Sequence, residues 1–209
     1  MEKYRNKTIV FFGDSITDSA KSFNANHPYG AGYVNMLRTE IDVYYPELNI
    51  KIYNEGIGGN KTENLLERFN EDVASKNPDL VFLFIGINDV WHPYENGGMP
   101  NYDDILGRMT LLINKIKNLG SEVVLLTPFL FPADPFYDFF TELKPHFEAY
   151  YSLYKEYLNN NKLNYIDIYE ILKPYSIVAN NHLTKDSVHP EIIGHGIIAQ
   201  AVLDYLKNH

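Results

Sequence analysis

Two short stretches of this sequence carry side chains that could act together in acyl transfer. Asp14 and Ser15 follow a β-branched and aromatic run in "VFFGDSITDS", and Asp186 and His189 lie three residues apart in "KDSVHP". A carboxylate in contact with an imidazole fixes its tautomer, and the imidazole can then take the proton of a nearby hydroxyl. The sequence therefore predicts Ser15 as a nucleophile, His189 as its general base and Asp186 as the residue that orients His189.

Two further turns offer hydrogen-bond donors for the negative charge that develops on an attacked carbonyl oxygen. Gly59, in "NEGIGGN", has no side chain to obstruct approach to its backbone N–H. Asn88, in "GINDVW", has a side-chain amide. Together with the backbone N–H of Ser15, these groups are the predicted oxyanion donors.

Each of these motifs also has a purely structural interpretation. Gly, Asp and Ser are common turn residues, the glycines near Gly59 could only form a tight turn, and Asn88 could cap a helix. Asp186 could likewise cap a last turn, with His189 as a surface residue. The remaining histidines are expected on the surface or in packing contacts: His27, His92, His146, His182, His195 and His209. Four independent structural explanations account poorly for all four motifs together.

The hydrophobic pattern alternates strands and helices along the chain. The predicted strands are Thr8–Phe12, Asn49–Tyr53, Leu80–Ile85, Glu122–Thr127 and Asn164–Ile168. The predicted helices cover residues 62–76, 102–120, about 139–160 and 190–209. The apolar stripe predicted for the last helix consists of Ile193, Ile197, Ala201, Val202 and Leu206.

This alternation predicts a single α/β domain over residues 1–209, with helices on both faces of a five-stranded parallel sheet. In such a three-layer α/β/α sheet, ligands bind beyond the carboxyl ends of the strands. The turns that contain Ser15, Gly59 and Asn88 follow the first three strands, so they are expected on the same rim.

The composition narrows the classes of function. Of 209 residues, 45% are hydrophobic and 22% charged, as in ordinary globular proteins. A net charge of −9 with no basic cluster argues against nucleic-acid binding. No apolar run reaches the roughly 20 residues of a membrane span. There is no cysteine, and the first strand begins too early for a signal peptide, so a cytoplasmic location is expected.

The four motifs resemble the signature blocks of the SGNH, or GDSL-type, hydrolases. The matching stretches, in order, are "FFGDSITDS", "NEGIGGNKT", "IGIND" and "DSVHP", and the resemblance runs from residue 8 to residue 206. It implies the flavodoxin-like SGNH-hydrolase fold, with Ser15, Asp186 and His189 as the catalytic triad. It also implies an oxyanion hole of Ser15, Gly59 and Asn88, and it implies neither a metal nor an organic cofactor.

Within that family the chain is similar to the intracellular bacterial acetylxylan esterases, in "GAGYV", "YPELNIKIYNEGIGGN", "NPDLVFLFIGINDVW" and "LLTPF". This similarity implies removal of acetyl groups from a small-molecule or oligosaccharide ester; homo-oligomer formation is left open. The chain departs from that pattern at Lys185, where an aromatic residue is usual, and in "FPADPFYDFF". A lysophospholipase or acyl-thioesterase, or a catalytically silent sugar-binding protein, remains as an alternative.

Substrate contacts are predicted for Asp14, which follows the family pattern and is expected to shape its loop, and for Trp91 and Tyr94. The further aromatic residues that follow strand four could extend a sugar platform: Phe129, Phe131, Phe136 and Tyr137. The alternative is that most of these rings fill the core under the loops.

Overall fold

A parallel sheet of five strands runs through the centre of the computed structural model, which describes residues 1–23, 26–131, 138–178, 183–184 and 186–209. The strands are β1 (Thr8–Gly13), β2 (Lys51–Gly56), β3 (Leu80–Phe84), β4 (Glu122–Leu126) and β5 (Tyr165–Ile166). Their order across the sheet is β2-β1-β3-β4-β5, and every pair is parallel. All five predicted strands are confirmed, with shifted ends.

Helices connect the strands, as the alternating pattern predicted. In the described part of the chain the α-helices are α1 (Ser15–Asp18), α2 (Tyr33–Tyr44), α3 (Thr62–Asp72), α4 (Ile87–Glu95), α5 (Tyr102–Asn118), α6 (Asp138–Asn160), α7 (Ile168–Val178) and α8 (Ile192–Asn208). Single 3₁₀ turns lie at Glu2–Tyr4, Lys21–Phe23, Pro46–Leu48 and Ala74–Lys76. The sequence pattern predicted α3, α5, α6 and α8, but it did not assign α2, α4 or α7.

The sheet is buried on both faces. Every residue of β3 is at most 1% exposed, which explains why that strand is apolar at consecutive positions. On β1, Phe11 packs against Tyr33 of α2, whereas the next residue, Phe12, points to the opposite face and packs against Phe69 of α3. Helices α2 and α8 pack together, as do α3 and α5. These contacts confirm the three-layer α/β/α architecture.

Strand register aligns the carboxyl ends of the first three strands. Gly13, the last residue of β1, pairs with Gly56 at the end of β2 and with Phe84 at the end of β3. The segments that follow these residues therefore leave the sheet side by side, at the rim where the sequence placed the functional turns.

The buried face of α8 differs from the prediction in its first turn. Ile193 is 49% exposed, and the neighbouring Ile192 is 64% exposed. Val202 and Leu206 of the predicted stripe are confirmed as buried, and Ile197 and Ala201 pack against the core. The other residues of the inward face are Gly194, His195, Ile198, Ala199 and Leu203. The first turn differs because Gly194 packs tightly against Pro190, where a Cβ atom would lie 2.8 Å from the proline Cβ. This contact turns the first two isoleucines of the helix outward.

Candidate active site

Ser15 is the first residue of α1, and the end of β1 presents it at the rim. The carboxylate of Asp14 caps this short helix by accepting the N–H of Ile16 at 3.0 Å. The helix approaches β2 so closely that a Cβ atom on Gly56 would lie 2.1 Å from the backbone nitrogen of Asp18. Only glycine permits this approach. Ser15, at the start of the helix, is partly exposed.

Asp14 lies beneath the rim. Its side chain is buried at 1% exposure, and this burial raises the pKa of Asp14 to about 7, against the opposing effects of the Ile16 N–H and nearby His189. A carboxylate in this position shapes the serine loop. Its burial argues against the substrate contact that the sequence predicted for Asp14.

Asp186 and His189 form one turn just before α8. One carboxylate oxygen of Asp186 accepts the backbone N–H groups of His189 at 2.7 Å and of Val188 at 3.1 Å. The other oxygen lies 2.5 Å from Nδ1 of His189. A backbone bridge between Thr184 and Pro190 holds the two ends of the turn together. The carboxylate thus fixes both the turn and the imidazole ring.

The imidazole reaches Ser15 across the rim. Nε2 of His189 lies 2.7 Å from the Ser15 hydroxyl oxygen, so the three side chains form one hydrogen-bonded chain. In the neutral ring, Nδ1–H donates to Asp186 and Nε2 accepts the serine O–H. The geometry is that of a nucleophile, a base and an orienting carboxylate.

The interactions between Asp186 and His189 shift the pKa values of both residues. The hydrogen bond to Asp186 raises the pKa of His189 above 6.5, although burial opposes the shift. Burial alone would raise the pKa of Asp186, but the hydrogen bonds from the side chain and backbone of His189 and from the backbone of Val188, with the charge of His189, together outweigh burial and lower it. Each partner therefore favours the charged form of the other, and Asp186 offsets any unfavourable effect of the α8 N-terminus on the imidazolium.

The loop after β2 brings Gly59 to the same rim. Gly59 has φ +76°, a backbone conformation that favours glycine. Its N–H has no acceptor among the described residues. A Cβ atom on the preceding Gly58 would lie 3.9 Å from the Cβ of Ser15, so this loop lies directly against the serine. The position is suited to donating to an oxyanion.

Asn88 lies in α4, just after β3, and its side chain contacts the loop that contains Gly59. It is the second residue of α4, it is 2% exposed, and its Nδ2 donates to the carbonyl oxygen of Asn60 at 3.0 Å. A side-chain amide has two N–H groups, so one remains for a ligand. The structure therefore brings all five predicted catalytic and oxyanion residues to one rim.

Two arginines that were not predicted as site residues hold these loops in place through hydrogen bonds. Arg68 of α3 donates to the carbonyl oxygen of Gly13 at 2.9 Å and to the side chain of Asn60 at 2.7 Å. Arg108 of α5 donates to the hydroxyl of Thr62 at 2.7 Å and pairs with the buried carboxylate of Asp89. Both arginines lie on polar helix faces, which normally indicate solvent exposure, so no local pattern marks them.

Asn54 was also not predicted as a site residue, although it opens the "NEGIGGN" motif. It is 5% exposed, and its amide donates to the carbonyl oxygens of Thr17 at 2.8 Å and Tyr29 at 2.9 Å. Its side-chain oxygen accepts the N–H of Gly56 at 2.9 Å. Asn54 thereby ties β2 to α1, the helix that begins with Ser15.

The predicted aromatic platform is mostly packed into the protein. Phe129 and Phe131 are 0% and 8% exposed, which confirms the core alternative for these two rings. Trp91 packs edge-on against Phe140, and Tyr94 packs against neighbouring rings of α6. Phe136, Tyr137 and Lys185 lie outside the described residues.

A cavity of about 580 Å³ opens beside Ser15 and His189. Its described lining includes Asp18, Ser19, Ser22, Phe23, Ile57 and His195, but neither Trp91 nor Tyr94. Polar groups therefore lie close to the nucleophile, and apolar side chains flank them.

The described residues contain no group of three or more His, Cys, Asp or Glu side chains that could hold a metal ion. Among the same residues, no helix is long and apolar enough to cross a membrane.

Comparison with known proteins assigns the chain to a family. The model of the GDSL-like lipase/acylhydrolase family matches residues 11–197. The chain is 32% identical to an acetylxylan esterase of Geobacillus stearothermophilus, over 93% of this chain and 91% of that protein. The chain therefore belongs to the GDSL-like lipase/acylhydrolase family.

Solved structures agree with this assignment. The crystal structure of a catalytic mutant of Axe2, an acetylxylan esterase from G. stearothermophilus, matches with a TM-score of 0.86 and 27% identity, covering 100% of this chain and 98% of that one. A GDSL-like lipase structure from Parabacteroides merdae matches with a TM-score of 0.85 and 26% identity, covering 96% and 95%. The protein has the SGNH-hydrolase fold and is a carboxylic ester hydrolase.

Proposed function

We propose that this esterase removes short acyl groups, chiefly acetyl, from carbohydrate esters such as acetylated xylo-oligosaccharides. The observation that carries the proposal is the hydrogen-bonded chain from Ser15 through His189 to Asp186, with 2.7 Å and 2.5 Å between successive partners. It lies at the mouth of a cavity large enough for a sugar unit. The similarity to an acetylxylan esterase over almost the whole chain supports the choice of substrate class.

The proposed mechanism is a double displacement. His189 takes the proton of Ser15 as the serine oxygen attacks the ester carbonyl, and Asp186 stabilises the imidazolium. The resulting oxyanion accepts hydrogen bonds from the backbone N–H groups of Ser15 and Gly59 and from the Asn88 amide. His189 then protonates the departing alcohol oxygen, which leaves an acetyl ester on Ser15. Water, activated by His189, hydrolyses this ester and releases acetate.

The nucleophile is tested by covalent labelling. A p-nitrophenyl alkylphosphonate should modify Ser15 in a one-to-one ratio, release one p-nitrophenol and abolish esterase activity. The matched control is Ser15→Ala, which should neither react nor hydrolyse esters while it keeps the wild-type circular dichroism. Modification of another residue, or activity in Ser15→Ala, would overturn the mechanism.

The substrate class is tested with three groups of compounds: acetylated xylo-oligosaccharides, acyl-glycerophospholipids and acyl-CoA thioesters, each assayed for acid release. The proposal predicts the highest kcat/KM for the xylo-oligosaccharides. Higher kcat/KM for the lipids or thioesters would favour the lysophospholipase or acyl-thioesterase alternative, which the lipase/acylhydrolase description of the family keeps open. Sugar binding without hydrolysis of any ester would favour the silent alternative.

A further inference from the structure

A second histidine, His195 of α8, lies in the wall of the cavity beside Ser15. It is 7% exposed, and its ring lies parallel to that of Tyr33, 6.4 Å away. The backbone N–H of Tyr33, the first residue of α2, donates to Nδ1 at 3.3 Å. On the other side of the ring, Nε2 lies 3.3 Å from the hydroxyl oxygen of Ser19. The mechanism proposed above uses neither His195 nor Ser19.

These contacts determine where the protons lie. Burial, assisted by the charge of His189, lowers the pKa of His195 to about 4, so the ring is neutral near pH 7. Because Nδ1 accepts a hydrogen bond, the single ring proton must be on Nε2. His195 therefore donates to the oxygen of Ser19, and the Ser19 O–H must donate elsewhere. It has no acceptor among the residues that the structure describes.

Ser19 is placed to direct that O–H towards a substrate. It follows Ser15 by one helical turn, and its backbone N–H donates to the Ser15 carbonyl oxygen at 2.9 Å. Ser19 is the C-cap residue of α1 and has φ +40°, so its side chain leaves the helical direction of α1. Ser15 and Ser19 are both partly exposed and line the same cavity. The Ser19 hydroxyl thus belongs to the same cavity as the nucleophile, where the alcohol part of an ester attacked by Ser15 would lie.

The hydroxyl of Ser22 differs from that of Ser19 in its hydrogen bonding. Ser22 also lines this cavity, but its O–H donates to a carboxylate oxygen of Asp18 at 2.9 Å, and its backbone N–H donates to the other oxygen at the same distance. The Ser22 proton is therefore already used within the protein. Of these two serines, only Ser19 has a donor to offer.

We propose that Ser19, held as a hydrogen-bond donor by His195, binds an oxygen of the leaving alcohol next to the acylated position. Ser19 would then be a specificity-determining residue, and the preferred alcohols would be sugars or polyols that carry a hydroxyl beside the ester. The apolar side chains at the mouth of the cavity are consistent with a sugar substrate. Phe23 is 91% exposed and Ile57 is 40% exposed, and both lie beside the polar wall. Such a surface suits the C–H face of a sugar ring. This inference rests on the proposed carbohydrate esterase function.

The experiment compares three acetyl esters: a methyl xyloside with one acetyl group beside a free hydroxyl, the deoxy xyloside that lacks that hydroxyl, and p-nitrophenyl acetate. The measured quantity is the ratio of kcat/KM for each xyloside to kcat/KM for p-nitrophenyl acetate. Ser19→Ala should lower the ratio for the hydroxylated xyloside about 3- to 10-fold, as expected for one neutral hydrogen bond. The ratio for the deoxy xyloside should stay at its wild-type value.

A second arm uses only the wild-type protein and so does not depend on the folding of a variant. Removing the hydroxyl from the xyloside should lower the wild-type ratio by the same factor. In Ser19→Ala that removal should bring no further loss, because the two changes delete the same contact. Ser22→Ala, the matched control, should keep the wild-type preference for the hydroxylated over the deoxy xyloside.

The outcomes separate the two proposals. If both xylosides are hydrolysed and wild-type protein treats them equally, the inference about Ser19 is overturned, but the carbohydrate esterase function stands. If Ser19→Ala loses the same factor on both xylosides, the inference is overturned as well, since the loss does not involve the hydroxyl. If p-nitrophenyl acetate is hydrolysed and neither xyloside is, the carbohydrate esterase function fails and the inference fails with it.

Discussion

Asn88 and Asn60 are joined by a hydrogen bond that connects two loops of the rim. Nδ2 of Asn88 donates to the carbonyl oxygen of Asn60 at 3.0 Å, and Asn60 directly follows Gly59 in the chain. Because a carbonyl can only accept, this bond fixes which side of the Asn88 amide faces the loop. It also links the two proposed oxyanion donors that come from different strands, so their spacing is set before a substrate binds.

The first prediction concerns Asn88. Asn88→Ala should lower kcat for p-nitrophenyl acetate by roughly 10²–10³ with little change in KM, because the donor acts mainly in the transition state. The control is Asn96→Ala at the other end of α4, where the amide donates to the carbonyl oxygen of His92 and, among the described residues, to no group of the rim. That variant should keep the wild-type kcat. An unchanged kcat in Asn88→Ala would leave this residue a structural role alone.

The second prediction concerns pH. Catalysis needs neutral His189, and the bond to Asp186 raises its pKa above 6.5, so the histidine stays protonated to a higher pH than a free imidazole. Activity is therefore lost as the pH falls through this raised pKa. We expect the acid limb of kcat/KM for p-nitrophenyl acetate to have an apparent pKa above 6.5.

Asp186→Asn provides the comparison for this pH profile. It should move the acid limb to lower pH, because the charge that stabilises the imidazolium is gone. It should also lower kcat by roughly 10³–10⁴, because an amide no longer enforces the required tautomer. An acid limb at the same pH in wild type and Asp186→Asn would contradict the assigned pair.

The third prediction concerns the buried ion pair behind the oxyanion loops. The side chain of Asp89 is 0% exposed, and Arg108 lies 3.5 Å away at 29% exposure. Arg108→Met would leave a buried carboxylate without its cation, which typically costs about 3–5 kcal/mol. For a chain of this size, we expect Tm to fall by roughly 10 °C. The control is Lys144→Met, which removes an exposed partner of Glu148 and should change stability by at most about 0.5 kcal/mol.

The stability loss in Arg108→Met should also depend on pH. Burial already raises the pKa of Asp89, and Arg108 opposes that shift. Without the arginine, folding favours the protonated carboxyl more strongly, so stability is lost as the pH rises. Thermal unfolding followed at pH 5 and pH 8 should show the larger Tm deficit at pH 8. A deficit that is equal at both values would mean that lost packing, and not the uncompensated charge, destabilises the variant.

The elements predicted well from sequence are those whose signal is local. The fully apolar run of β3 and the stripe of α5 can be read from consecutive residues. The rim could be placed because parallel strands end on the same side, which brings Ser15, Gly59 and Asn88 together. For these residues, motif and topology agree.

The features that were missed depend on distant partners. Arg68 contacts Gly13, which lies 55 residues away, and Arg108 contacts Thr62, 46 residues away. His195 was expected to be a surface or packing residue, and its bonds to Ser19 and Tyr33 span more than 160 positions. No periodicity encodes such contacts, because they arise only when elements far apart in the chain pack together, as α8 packs against α2.

The last prediction concerns the length of the acyl chain. It distinguishes the proposed deacetylase from the lysophospholipase or acyl-thioesterase alternative. A longer chain gains about 0.8 kcal/mol per methylene only where an apolar groove receives it. Next to Ser15, the cavity wall carries the polar side chains of Asp18, Ser19 and Ser22. Its apolar side chains Phe23 and Ile57 are 91% and 40% exposed, so an acyl chain lying on them would stay largely in water and little of that gain is expected. We therefore expect kcat/KM for p-nitrophenyl acetate to exceed that for p-nitrophenyl octanoate by at least roughly tenfold, about 1.4 kcal/mol in the activation free energy. The butyrate ester, assayed in the same series, should fall between them. Equal or faster turnover of the octanoate would overturn the deacetylase proposal and favour a lysophospholipase or acyl-thioesterase.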